Sequence, residues 1–416
     1  MNRVGITGMG VVSPVGTGRE AFWSSLVNGR SGIKPITLFD ASSFPVRIGG
    51  EVRNIGWKAI AEEFIQAENV QDRKVLLGLA AAQEAIADSG LSDLALGAAL
   101  LHVGVGLEAI RLEDLALCVS GNADAANTSF LGNLNGRQFQ TPLDTMCNLL
   151  GDRYGFSAGR YTNGSACAAG AQAIGEAWQM LREGYADAAL AGATDSMLNP
   201  LGLGGFSLLR VLSDENETPH RACRPFDASR KGTVLGEGAA FVMLEVLERA
   251  WERGVRVYAE VIGYGSSLDA FSVSDPDDAG RGAVASMRQA IRSARLRHED
   301  VDCVNAHGTG TVKNDVIETA AIKETLGPYA HHIPVHSVKS MTGHMIAASG
   351  AVEAVAAALT IQRRRVPPTI NLVKADDLCD LDYVTDGARD FSGDVVLSNS
   401  FGFGGQNATL IFRRSG

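Results

Sequence analysis

The chain has 416 residues, enough for two or three domains or for one large duplicated unit. Hydrophobic residues make up 45% and charged residues 20%, the balance of an ordinary globular protein. With 47 acidic against 37 basic residues the formal net charge is −10, which argues against a general nucleic-acid binder but leaves room for a local basic patch.

Residues 3–13 (RVGITGMGVVS) predict a buried strand running into a Gly-rich turn. The Gly-Met-Gly lacks the full GxGxxG spacing of a dinucleotide site. No apolar h-region precedes this strand and no apolar run approaches the ~20 residues a membrane helix needs, so neither a secretory signal nor a membrane span is expected. A short amphipathic helix follows at 19–28, then an irregular stretch at 30–60 broken by Pro35 and Pro45. An Ala- and Leu-rich helix at 72–90 ends at Gly90, and a strand is expected at 100–106. Residues 107–140 have no clear period and predict an extended excursion with a helix around 109–119, of the kind that carries an interface or lid. A short helix at 142–151 leads to Asn163–Gly184, where a small-residue turn becomes a helix with Ala171, Ile174, Ala177, Trp178 and Leu181 on one face. A small-residue strand at 187–195, a polar loop at 197–232 holding Arg210, and a strand into a helix ending near Gly254 complete this pass.

A second pass then repeats the order. Strand 256–263, helix 280–295, strand 301–306, helix 314–326, strand 334–338 and a small-residue helix at 345–362 are followed by VVLSNS, the turn FGFGG at 401–405, and NATLIFR. Cys167 and His344 take matching places, each beside a small-residue helix. The expectation is therefore an internal duplication with halves at 1–254 and 255–416. Alternating strands and helices imply mostly parallel sheets. Two such sheets around shared buried helices give a five-layer α/β/α/β/α body with its site at strand C-terminal ends.

Cys167 would sit at the first turn of a helix, where free N–H groups and the helix dipole favour a thiolate. A lone cysteine is by itself more often a small buried hydrophobe. Its neighbours change that balance. The N–H groups of Cys167 and Phe403 can form an oxyanion hole, since the glycines of FGFGG allow close approach. His307 and His344, each in a Gly- and Thr-flanked turn, can donate to a developing enolate oxygen. Lys339 with Glu318 or Asp315 could form a buried pair, though spacing alone also allows an exposed lysine. No HxxxH or carboxylate cluster predicts a metal. The six cysteines, without CxxC spacing, fit a reducing compartment and a cytoplasmic protein.

Four ordered strings resemble the β-ketoacyl-acyl-carrier-protein synthases of the KAS I/II type, in the thiolase superfamily. They are Ser-Ala-Cys-Ala-Ala-Gly, Asn-Ala-His-Gly-Thr-Gly-Thr, Ser-Val-Lys-Ser-Met-Thr-Gly-His and Ser-Asn-Ser-Phe-Gly-Phe-Gly-Gly-Gln-Asn. The resemblance covers almost the whole chain, including PFDASRKGTVLGEGAAFVMLE. It implies a thiolase fold of duplicated αβαβα halves and a Cys-His-His site. Cys167 would take an acyl chain from an acyl carrier protein, and His307 and His344 would assist decarboxylation of malonyl carrier and hold the enolate. Lys339 would support the electrostatics together with Glu318, Thr309 and Thr311 would bind the pantetheine arm, Phe403 would act as gatekeeper, and Arg210 would match a carrier-docking position. No resident cofactor is implied, because phosphopantetheine arrives on the carrier. The partners implied are the carrier, acyl- or malonyl-loaded, and a second copy of the chain whose 107–150 region helps close the acyl pocket. Where fatty-acid enzymes carry glycines this chain reads Leu107-Glu108-Ala109-Ile110-Arg111, residues 118–141 also depart, and the 60–75 region has few basic residues beyond Arg73 and Lys74. These departures keep a specialised polyketide or polyene pathway open beside fatty-acid synthesis, as a ketosynthase in a heterodimer or a non-catalytic partner subunit.

Overall fold

Val4–Ser13 carries no charged side chain, and in the computed structural model it forms a strand, β1, buried along its whole length. The structure describes residues 1–53, 55, 56, 60, 62–64, 72–107 and 141–416, so most of the 107–140 excursion, with its expected helix, lies outside the described residues. Four further strands belong to the first pass: β2 (Leu100–Val105), β3 (Gly159–Asn163), β4 (Ala188–Ser196) and β5 (Glu237–Val246). The second pass supplies β6 (Ala259–Leu268), β7 (Cys303–Asn305), β8 (Pro334–His336), the short β9 (Asp382–Tyr383), β10 (Val395–Gly402) and β11 (Gln406–Arg413). Their order across the sheet is β9-β8-β7-β10-β11-β6-β1-β5-β4-β2-β3.

Leaving out β9, each pass places its strands first-fifth-fourth-second-third from the centre outwards, which is the predicted duplication written in topology. The halves join where β1 runs antiparallel to β6, with Val4 opposite Val261. The sheet is mixed rather than mostly parallel. In each half the outer three strands are parallel, while the last strand returns antiparallel to its neighbours. In the second half a three-residue turn enforces this: Phe403–Gly405 joins β10 to β11, and so tight a connection can link only antiparallel strands. Gly404 and Gly405 take φ of 75° and 76° there, a conformation glycine adopts without strain.

Five helices build the layers. α1 (Arg73–Ser89) packs on β1 and β5, and α3 (Arg281–Ala294) on β6 and β11, one outside each half. α2 (Ala169–Glu183) and α5 (Ser349–Arg363) lie between the halves and touch strands of both. α4 (Val312–Leu326) packs beside α3. Where the central pair meets, at their first turns, the residues are Gly and Ala because the two backbones nearly touch. A Cβ on Gly170 would stand 2.7 Å from Ala351 N, and one on Gly350 would stand 2.7 Å from Ala171 N.

That reciprocity sets the internal register. Gly170 answers Gly350, and the 3₁₀ turn Ala166–Ala168 before α2 answers Ile346–Ala348 before α5. Ala166 and Ile346 share a left-handed φ, 49° and 45°. The residue matching Cys167 is thus Ala347, not His344, which lies three positions earlier. The expected helix start at 345 moves to Ser349 for the same reason. No helix among the described residues is long and apolar enough to cross a membrane.

Candidate active site

Cys167 stands on the 3₁₀ turn between β3 and α2 and is buried. Asn163 fixes the turn by accepting from Ser165 N at 2.9 Å and Ser165 Oγ at 2.6 Å. The β10 end comes up against it, and a Cβ on Gly402 would lie 3.0 Å from Cys167 N, so any larger residue there crowds the turn. The Phe403 N–H and the Cys167 N–H both lie where they favour charge on the Cys167 sulfur. Any carbonyl oxygen formed on that sulfur therefore has two backbone donors nearby. Burial nevertheless pushes the thiol up to about 12, outweighing the Phe403 N–H and the Lys339 charge. The expected thiolate at a helix start is thus corrected, because the pocket is drier than an open helix end.

His307 follows β7 and His344 follows the short helix Lys339–Thr342. Their rings meet edge to face with centroids 5.3 Å apart. Burial and the Lys339 charge hold both well below the usual histidine range, so both are neutral. Their tautomers follow from their partners. Lys339 Nζ lies 3.3 Å from His307 Nδ1, and an ammonium can only donate. Ser349 Oγ accepts from Met345 N at 3.0 Å and so has its proton free for His344 Nδ1 at 2.9 Å. Each ring is left with its N–H on Nε2. Each thus presents a neutral Nε2–H donor.

Lys339 does not pair with Glu318 or Asp315 as expected. Its partner is Glu353, on α5, and both side chains are buried. Burial pushes the Glu353 carboxyl up to about 7 against the pull of Lys339. Glu318 instead accepts from His307 N and Gly308 N, each at 2.8 Å, and from Asn399 Nδ2 at 3.2 Å. Asp315 accepts from Phe226 N at 2.8 Å and Gly310 N at 3.2 Å, with Arg230 3.5 Å away. The two acids hold the His307 loop by its backbone, one side chain from the charge they were expected to meet. Glu353, Ser349 and Asn399 were missed in the sequence. Only Glu353 left a signal, as the one acid in an otherwise apolar helix run, where a buried charge needs a partner.

A cavity of about 300 Å³ leads from the surface to Cys167, His307 and His344. Thr309 and Thr311 stand on its wall with their hydroxyl oxygens 2.9 Å apart, and Arg210 is on its rim. Phe403 also lines it and stacks on Phe206 with centroids 5.9 Å apart. Every predicted site residue except Lys339, Glu318 and Asp315 thus lines one space, and those three support the His307 loop from behind. No group of three or more potential metal ligands occurs among the described residues.

Residues 1–250 match the family model described as the β-ketoacyl synthase N-terminal domain, and residues 258–373 match its C-terminal domain. The chain is 40% identical to a 3-oxoacyl-[acyl-carrier-protein] synthase 2 of Synechocystis sp., over 99% of this chain and 98% of that one. Among solved structures, the ishigamide ketosynthase/chain length factor superposes with a TM-score of 0.89 at 33% identity, covering 100% of both chains. A type II polyketide ketosynthase bound to its acyl-carrier protein, AntDE:AntF, gives 0.86 at 31% identity with the same coverage.

Proposed function

The chain belongs to the β-ketoacyl synthase family, and from that membership we infer how its own residues run the family's reaction. It is a 3-oxoacyl-[acyl-carrier-protein] synthase, an acyltransferase that lengthens acyl chains in fatty-acid or polyketide synthesis on a carrier protein. It needs no resident cofactor, because phosphopantetheine comes with the carrier.

We propose that Cys167 is the nucleophile. Its sulfur attacks the acyl thioester, the new oxyanion lies against the N–H groups of Cys167 and Phe403, and the pantetheine sulfur leaves. Net, the thiol proton passes from Cys167 to the released carrier. Malonyl carrier then enters along the Thr309 and Thr311 wall. Loss of CO2 places the electron pair on an enolate, whose oxygen receives the Nε2–H groups of His307 and His344. The enolate carbon attacks the acyl carbonyl, the carbonyl re-forms, and Cys167 departs as a thiolate that takes up one proton. Lys339, anchored by Glu353, donates to His307 Nδ1 and so keeps that ring's proton on Nε2, while its charge adds to burial in holding both histidines neutral. Glu318 and Asp315 hold the His307 loop, and Phe403, stacked on Phe206, separates the two half-reactions. The observation that carries this reading is the joint placement of the buried thiol, two backbone donors and two neutral Nε2–H imidazoles in one cavity.

We divide the chain at 254/255, with the nucleophile in the first half and both histidines in the second. We also place it in the cytoplasm as a homodimer. The five described cysteines are free thiols, as a reducing compartment leaves them. β3 is an exposed edge strand that a second copy would cover. Incubation with acyl carrier protein followed by peptide mass mapping tests the assignment. The acyl increment is expected on the Cys167 peptide and absent in Cys167→Ala, whereas acylation persisting at another residue contradicts it.

A further inference from the structure

The mouth of the cavity is edged with apolar side chains. Leu208 and Leu209, at the end of the helix Pro200–Leu208, are 85% and 49% exposed. Phe271 and Val273, on the loop after β6, are 53% and 82% exposed, and Val312 at the start of α4 is 60% exposed. Single exposed apolar residues are ordinary, but several from separate elements around one opening mark a contact surface. These are held together. Leu209 and Val312 line the opening itself. Phe206, three residues before Leu209, stacks on Phe403, and the next residue, Gly404, donates its N–H to Val273 O at 2.7 Å. Lys313 pairs with Asp275 at 2.9 Å and so ties the start of α4 to the same loop.

The cations around this opening are mostly spoken for. Lys313 is taken by Asp275, Lys231 faces Asp214 and Glu215 at 3.8 and 3.9 Å, and Arg224 pairs with Glu215 at 3.2 Å. Farther off, Lys74 is buried against Asp72 and Arg73 bonds Glu237. Arg210 is on the rim and has no ionic partner among the described residues. Among the described residues, the free positive charge at the mouth is therefore about one, while the apolar collar is broad.

We propose that the carrier protein docks on this collar mainly through apolar contact, with Leu208 and Val273 as anchors and Arg210 as the one charged contact. The inference rests on the ketosynthase reading, because only a substrate borne on a protein must seat a second surface around the opening through which its arm reaches Cys167. Docking of this kind depends on buried apolar area and little on ionic strength.

The test compares KM for acyl carrier protein with KM for acyl-pantetheine, the same thioester without the protein. Salt is raised from about 0.1 to about 1 M, over which the screening length falls from about 10 to about 3 Å. The wild-type KM for the carrier is expected to change less than about threefold, since only one free charge is screened. Leu208→Ser combined with Val273→Ser is expected to raise that KM at least about tenfold, with kcat and acyl-pantetheine loading unchanged. Both sites are exposed, so folding is not at stake, and the wild-type salt series needs no variant. A carrier KM unchanged in the double variant, or a wild-type KM rising more than about tenfold with salt, overturns the apolar collar. Failure of acyl-pantetheine to load wild-type Cys167 overturns instead the reading beneath it.

Discussion

Cys167 and Lys339 show how burial decides the behaviour of single residues here. A helix start alone would lower the thiol, but the pocket is closed and burial prevails. The free enzyme should therefore hold Cys167 as a thiol. Its alkylation by iodoacetamide is expected to quicken about tenfold per pH unit with no plateau below pH ~9, followed by mass spectrometry, whereas a plateau beginning near pH 6 would show an activated thiolate. Lys339 and Glu353 are fully buried partners, so removing one strands the other. Lys339→Ala should cost about 3–5 kcal/mol in denaturant unfolding, and Lys339→Met with Glu353→Gln should recover much of it. CO2 release from malonyl carrier should stay down on the order of a hundredfold in the double variant, because the ammonium that donates to His307 Nδ1 and so keeps that ring's proton on Nε2 is gone. Full recovery of decarboxylation would show that the lysine serves packing only.

The elements were legible wherever period and composition agreed. The Ala-rich run at 72–90 is α1, and the strand after the Gly-rich turn is β11. β3 escaped notice because Gly-Arg-Tyr-Thr-Asn is polar and half exposed at a sheet edge, so no hydrophobic alternation announces it. The starts of α2 and α5 were read too early, because a 3₁₀ turn with a left-handed residue has the same small-residue composition as the helix it precedes. That these two helices carry Ala and Gly in their first turns is plain in the sequence, but the contact that requires it is not. Gly170→Ala and Gly350→Ala should each lower stability by about 1–3 kcal/mol, since the added methyl meets the backbone of the other helix 2.7 Å away. Thermal unfolding checks this, and an unchanged Tm for both would mean the helices can separate freely.

At the scale of the molecule, duplication supplies the scaffold and the site departs from it. The same turn occurs twice, once carrying Cys167 and once carrying Ala347, whose N–H donates to buried Asp195 at 3.1 Å. The first half thus contributes the sulfur and the second contributes both imidazoles and the Phe403 donor. The list of motif residues was readable in the sequence because each sits in a Gly-bounded turn. Their partners were not, since Lys339 meets an acid on α5 while the acids of α4 turn to the backbone. This division of labour makes acyl transfer separable from decarboxylation. The most direct measurement is a single turnover with His307→Ala and His344→Ala, reading the acyl mass on Cys167 and the CO2 released on adding malonyl carrier. Both variants are expected to load the acyl chain and to lose CO2 release by about a hundredfold or more. Release at the wild-type rate, or loss of acyl loading in folded protein, would contradict the assignment of the enolate to the two histidines.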